Sequence, residues 1–167
     1  MHAKWRSARL AAALLVLATA RVEAQHKSNV ALDMGTPLPI ALLWKLNESV
    51  AIRPDFSFVR VDQGGGNDQW RFGIGASALF TARQTGSLTT YVGARGAYSW
   101  YSVDNSPTDW AFAGIFGGRY AFDQHIGISG ETGLAYDRTR IPSLPGTGSR
   151  NVSTFGPWGR VSVLLYF

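Results

Sequence analysis

Cysteine is missing from this chain. A disulfide framework, a thiolate metal site and a lipidated N-terminal cysteine are therefore excluded. Histidine is nearly missing too, with only His2, His26 and His125. No apolar run reaches the roughly 20 residues that a membrane-spanning helix needs, and no useful length of sequence carries a helical period. There is no P-loop, no dinucleotide glycine fingerprint and no cluster of metal ligands. No cofactor, metal or catalytic set is therefore expected. Charged residues amount to 16% against 13% aromatics, a balance that excludes a disordered chain. The 167 residues allow one domain, or one domain with a removable segment.

The chain carries 16 Lys/Arg and 11 Asp/Glu, and much of this excess lies at its start. Lys4, Arg6 and Arg9 precede the apolar run Leu10–Ala20, and small residues follow at Ala18-Thr-Ala20 and Val22-Glu-Ala24. That order is the pattern of a secretory signal peptide. Residues 1–24 are assigned to it and residues 25–167 to the mature domain. Cleavage after Ala24 is favoured, and Ala20 is the alternative point. Without residues 1–24 the balance falls to 12 Lys/Arg against 10 Asp/Glu. A nucleic-acid partner loses its electrostatic basis at that point, so none is expected.

The rest of the chain alternates. Apolar and small or polar residues switch with period two between clusters of Gly, Asn, Asp, Ser and Pro, the mark of strands joined by turns. The clearest runs are residues 70–80 and 110–122. Eight strands are predicted, near 28–35, 39–46, 50–61, 69–81, 88–103, 109–122, 126–140 and 151–167. Pro37 and Pro39 break the first two, with Gly35–Leu38 as a tight connection; the alternative is one long bulged strand. An even count favours eight, because single-chain bacterial outer-membrane barrels have even strand numbers. Eight strands place both termini at one end. The short separators 47–49, 83–87 and 123–125 then fall at that end, and the longer ones, 62–68, 104–109 and 141–150, fall opposite. The expected fold class is all-β: an antiparallel, eight-stranded, up-and-down transmembrane barrel.

The two alternation phases differ in chemistry. One carries Ile52, Phe56, Phe58, Phe72, Ile74, Tyr98, Phe112, Phe116, Tyr136 and Phe155 among other bulky apolar groups. The other carries Asp33, Arg53, Asp55, Arg95, Arg119, Glu131 and Arg160 among Gly, Ala and Ser. A water-soluble ligand-binding barrel needs the reverse. The bulky phase is therefore expected to face lipid, and the charged phase to line a narrow interior. Trp70, Trp100 and Trp110 at the loop ends, and Trp44, Phe80, Phe122 and Phe167 at the terminus ends, read as two aromatic girdles. Arg119, Glu131, Arg160 and Asp33, on neighbouring strands, are expected to form a charge girdle across the lumen. Inward glycines are expected to leave room for the arginines rather than for a channel.

The chain ends Arg160-Val-Ser-Val-Leu-Leu-Tyr-Phe167, with apolar residues at Val161, Val163 and Leu165 before the terminal Phe167. This resembles the C-terminal β-signal of outer-membrane proteins, and the whole pattern resembles the small OmpA/OmpX-type outer-membrane barrels. Leu165 departs from the aromatic common at its position. The resemblance implies secretion to the periplasm, handling by periplasmic chaperones and the barrel-assembly machinery, and insertion among outer-membrane lipids of a bacterial cell. A monomer is expected, since one chain closes its own barrel. No catalytic role is expected. A structural or surface-interaction protein with a filled lumen is the leading reading, and a narrow small-solute pore is the alternative. A lipid-modifying enzyme is weaker still. His2 leaves with the leader, His26 lies at the N-terminal edge and His125 falls in a terminus-side turn, while Ser129 and Glu131 face inward.

Overall fold

The computed structural model describes residues 29–36, 40–62, 68–102, 106–142 and 148–167. The leader assigned to residues 1–24, His2 and His26 lie outside these residues, as do most of the 62–68 loop and the Pro37–Pro39 connection. Eight antiparallel strands follow one another around a closed barrel: β1 (Val30–Thr36), β2 (Ile40–Lys45), β3 (Val50–Asp62), β4 (Asp68–Thr85), β5 (Leu88–Tyr101), β6 (Thr108–Ala121), β7 (Ile126–Ile141) and β8 (Arg150–Tyr166). Every strand pairs with its sequence neighbour, and β1 closes the ring against β8. The Gly- and Pro-punctuated alternation in the sequence produces this order because each turn reverses the chain beside the strand it has just left.

Strand boundaries shift in one instructive place. The β4–β5 connection, read from sequence as 83–87, is only Gly86-Ser87, and β4 runs on to Thr85. The ladder shifts register between Thr81 and Arg83, so Ala82 is the extra residue of a bulge. Gly86 has φ of +55°, the left-handed conformation that a two-residue hairpin demands of its first residue. The other terminus-side turns are tied by side chains. Asn47 Oδ1 accepts from the amides of Ser49 and Val50, and Asp123 Oδ1 from those of His125 and Ile126.

The β1–β2 hairpin is short, with strands of seven and six residues, whereas β3 to β8 have 13 to 18. The described pairing of β8 with β1 covers Val161 to Tyr166, and that of β3 with β2 stops at Phe56. Beyond these points, Ser57–Asp62 and Arg150–Arg160 have a hydrogen-bonded strand on one side only, among the described residues.

Alternation sorts the side chains. Ile74, Phe112, Phe116, Leu134, Phe155 and Val161 are more than half exposed on the outside, while Asp33, Arg53, Glu131 and Arg160 are buried in the lumen. The inward phase also holds apolar groups that the charge pattern had hidden. Leu43, Leu79, Tyr91, Ile115, Leu164 and Tyr166 form a buried cluster with Ala31 and Ala51, and Trp158 packs against it.

Candidate functional site

The candidate site is the lumen, where small residues make space for large ones. A Cβ on Gly75 would lie 2.7 Å from Asp55 Oδ1 and 2.8 Å from Arg95 Nη2. On Gly117 it would meet Tyr91 and the Glu131 Cγ at 2.8 and 2.9 Å. Glycine at these two positions lets the ion pairs fit inside a ring of only eight strands.

Glu131 on β7 is the centre of the arrangement. Arg53, on β3 directly across the barrel, donates from Nη1 to Oε1 at 2.5 Å and from Nη2 to Oε2 at 2.8 Å. The Tyr91 hydroxyl donates to the same Oε1 at 2.7 Å. Arg53 Nη1 also lies 3.3 Å from Asp33 Oδ2, and Arg160 Nη2 donates to Asp33 Oδ1 at 2.8 Å. Five side chains from β1, β3, β5, β7 and β8 thus form one connected network, with all four charged members nine-tenths buried or more. Such burial is tolerable only because each charge is paired and hydrogen-bonded. Arg95 and Asp55 form a separate pair one step toward the loop end, with contacts of 2.7 and 3.2 Å.

The membership differs from the girdle read from strand adjacency. Arg160 does meet Asp33, but Glu131 is taken by Arg53 rather than by Arg119. Arg119 stands apart, its guanidinium 5.9 Å from the centre of the Tyr91 ring. The sequence pattern places Arg53 in the lumen but not in the girdle. Tyr91 carries no charge to mark it in the sequence, although it lies four residues before Arg95 on the same inward phase. That spacing was the available signal.

Two spaces approach the network. At the loop end a cavity of about 250 Å³ is bounded by Asp55, Arg71, Arg95, Asp109 and Asp137. There Arg71 bonds Asp109 at 2.8 Å, and Ser99 bonds both. At the terminus end a vestibule of about 490 Å³ holds Lys45 and Arg119.

The girdle residues lie on the outside. Trp44, Trp70, Trp110, Phe80 and Phe167 are exposed, and Trp100 and Phe122 partly so. Near the loop end the rings run in contact, with Phe72 to Trp100 at 5.9 Å, Trp100 to Tyr98 at 5.8 Å and Tyr98 to Trp110 at 4.6 Å. Near the other end Tyr120 and Phe122 meet edge to face at 5.4 Å. Val161, Val163, Leu165 and Phe167 all point outward, while Ser162, Leu164 and Tyr166 between them are buried. His125 is exposed in its turn, and Ser129 bonds Ser162 at 2.6 Å inside the wall, so the two are not assembled as a nucleophile and base.

No family model matches this sequence, and no curated protein shows detectable similarity to it. Among solved structures, the crystal structure of Acinetobacter baumannii CarO is similar to this chain, at 16% identity and a TM-score of 0.44. The match spans 84% of this chain and 98% of that one. The barrel's own residues carry the functional reading.

Proposed function

We propose that this chain is an integral barrel of the bacterial outer membrane, a structural or surface-interaction protein whose lumen is plugged by its own side chains. The observation that carries this is the outer surface. Large apolar residues cover it between two rings of aromatics, while Asp33, Arg53, Asp55, Arg95, Glu131 and Arg160 lie inside and Arg138 and Arg140 join the outer face only beside Trp110 at the loop-end ring. In water that surface would be unstable and sticky, since monomeric soluble proteins rarely expose apolar patches beyond a few hundred Å². In lipid it is the required surface. Trp70 and Phe80 are ten residues apart on β4, which at the usual rise and tilt is roughly 26 Å along the barrel axis, close to the ~25 Å apolar band of such barrels.

In this reading residues 1–24 direct export, the outward Val161, Val163, Leu165 and Phe167 present the assembly signal, and the barrel inserts as a monomer among outer-membrane lipids. No catalytic step is assigned. The network centred on Glu131 serves to brace the wall and close the lumen. A narrow gated pore is the second reading, favoured by the two cavities that approach the network from opposite ends.

The test is to refold the chain in detergent and compare its gel mobility unboiled and boiled, then to record conductance in a planar bilayer. A heat-dependent shift with a β-type circular dichroism spectrum and no steady conductance supports the plugged barrel. Regular conductance steps would favour the pore. A chain that stays soluble without detergent and shows no shift would overturn the membrane assignment.

A further inference from the structure

The terminus-end vestibule has a charge problem that the central network does not solve. Lys45 on β2 and Arg119 on β6 both line it. Among the described residues neither has an ion-pair partner. Each lies instead over an aromatic face: Lys45 Nζ is 5.9 Å from the centre of the Tyr166 ring, and the Arg119 guanidinium the same distance from Tyr91. Tyr91 and Tyr166, with Leu43, Leu79 and Leu164, form the apolar layer below. That layer separates the two cations from Glu131 and Asp33, whose charges are already matched by Arg53 and Arg160. The carboxylate that lines the vestibule, Glu48, sits on the exposed 46–49 turn at its rim.

We infer that this vestibule is a binding site for a phosphate group, carried by a small phosphate ester or by a lipid headgroup. Two cations lining one cavity suit a group bearing close to two negative charges, as a phosphate monoester does near neutral pH. Arginine supplies a planar fork of donors and lysine a mobile point charge, a combination well fitted to phosphate oxygens. Asn29, Gln84 and Thr89 add uncharged hydrogen-bonding groups to the wall. A space of about 490 Å³ admits more than the phosphate itself. The site goes beyond the membrane reading and does not depend on it, because Lys45 and Arg119, the two cations that define it, lie on the inward-facing phase of their strands.

The test is calorimetric titration of inorganic phosphate into the refolded chain, in zwitterionic detergent at low ionic strength. Saturable binding is expected, weakened about tenfold or more by either Lys45→Gln or Arg119→Gln and partly retained in Lys45→Arg and Arg119→Lys. Glu48→Gln is expected to tighten it. Circular dichroism and the heat-dependent gel shift report whether each variant still folds; the Lys45 variants, nearer the rim, keep the test decisive if Arg119→Gln does not. Displacement of bound phosphate by short-chain phosphatidic acid assigns the site to lipid headgroups, and failure to displace assigns it to soluble phosphate esters. Absence of saturable phosphate binding, or equal binding by the glutamine variants, overturns the proposal.

Discussion

Arg53 and Glu131 are 78 residues apart in sequence and face each other across the full width of the barrel, joined by two parallel hydrogen bonds of 2.5 and 2.8 Å. They sit on β3 and β7, four strands apart in a ring of eight, so the pair ties opposite walls together. A bidentate guanidinium–carboxylate contact fixes both distance and orientation. Wall spacing and side-chain length are therefore matched at this level.

The first prediction concerns that tie. Glu131→Gln leaves the Arg53 charge facing Asp33, which Arg160 already engages. Removing one partner of a buried pair costs on the order of 3–5 kcal/mol. Urea unfolding in lipid vesicles should show the midpoint falling accordingly, and an unchanged midpoint would remove the network from any bracing role. Replacing both partners, as Arg53→Met with Glu131→Leu, should recover much of the loss, because no uncompensated charge remains between them.

A second prediction identifies the solvent of the outer surface. Val163 points outward and is 42% exposed. In a bilayer, Val163→Arg should destabilise by about 2–4 kcal/mol, the usual cost of a cation near the midplane. On a water-facing surface the same change would fall within about 0.5 kcal/mol of neutral. The inward control is Ala111→Arg, which projects toward the loop-end cavity and should cost less. Ser162, the inward neighbour of Val163, is unsuited as a control: it is 3% exposed, and a Cβ on Gly35 would already lie 2.5 Å from its own.

Glycines in the wall supply a third contrast. A Cβ on Gly133 would fall 1.8 Å from the Gly114 carbonyl oxygen, which is backbone and cannot swing aside. Gly133→Ala should therefore destabilise by at least about 2 kcal/mol, in the range of overpacked sites. At outward Gly130 an added Cβ meets nothing within 4 Å. Gly130→Ala should be neutral or stabilising by a few tenths of a kcal/mol, through a less flexible unfolded chain. Equal midpoints for the two variants would contradict the close strand approach at Gly133.

A fourth prediction concerns the Gly86-Ser87 hairpin. With φ of +55°, Gly86 occupies a conformation that costs most side chains roughly 1–2 kcal/mol. Gly86→Val should lower the unfolding midpoint clearly. Gly86→Asn should lower it much less, since asparagine tolerates this region. No clash contributes, because nothing lies within 4 Å of the added Cβ.

Much of this architecture was legible in the residues alone. Period-two alternation from Trp70 to Phe80 and from Trp110 to Phe122, cut by turn residues, specifies strands without any tertiary information, because consecutive side chains on a strand must point to opposite faces. The same rule sorted Asp33, Arg53, Asp55, Arg95, Glu131 and Arg160 into the lumen and most of the large aromatics outside it, Tyr91, Trp158 and Tyr166 being inward. The Gly86-Ser87 turn was located only to within a few residues, since the bulge at Ala82 shifts register without a distinctive residue to announce it.

Which charges meet was a different matter. Glu131 stands opposite Arg160 in the β7–β8 ladder, yet its carboxylate bonds Arg53 on the far wall. Adjacency in a ladder is written in sequence order, but contact across a lumen depends on strand tilt and stagger around the closed ring, which bring residues from different strands to one height. The same closure gathers Leu43, Leu79, Tyr91, Leu164 and Tyr166 into an apolar layer that leaves Lys45 and Arg119 without carboxylate partners below them. Local alternation determined which face each side chain takes. Only closure of the barrel decided its neighbours, because that choice depends on the diameter and stagger of all eight strands together.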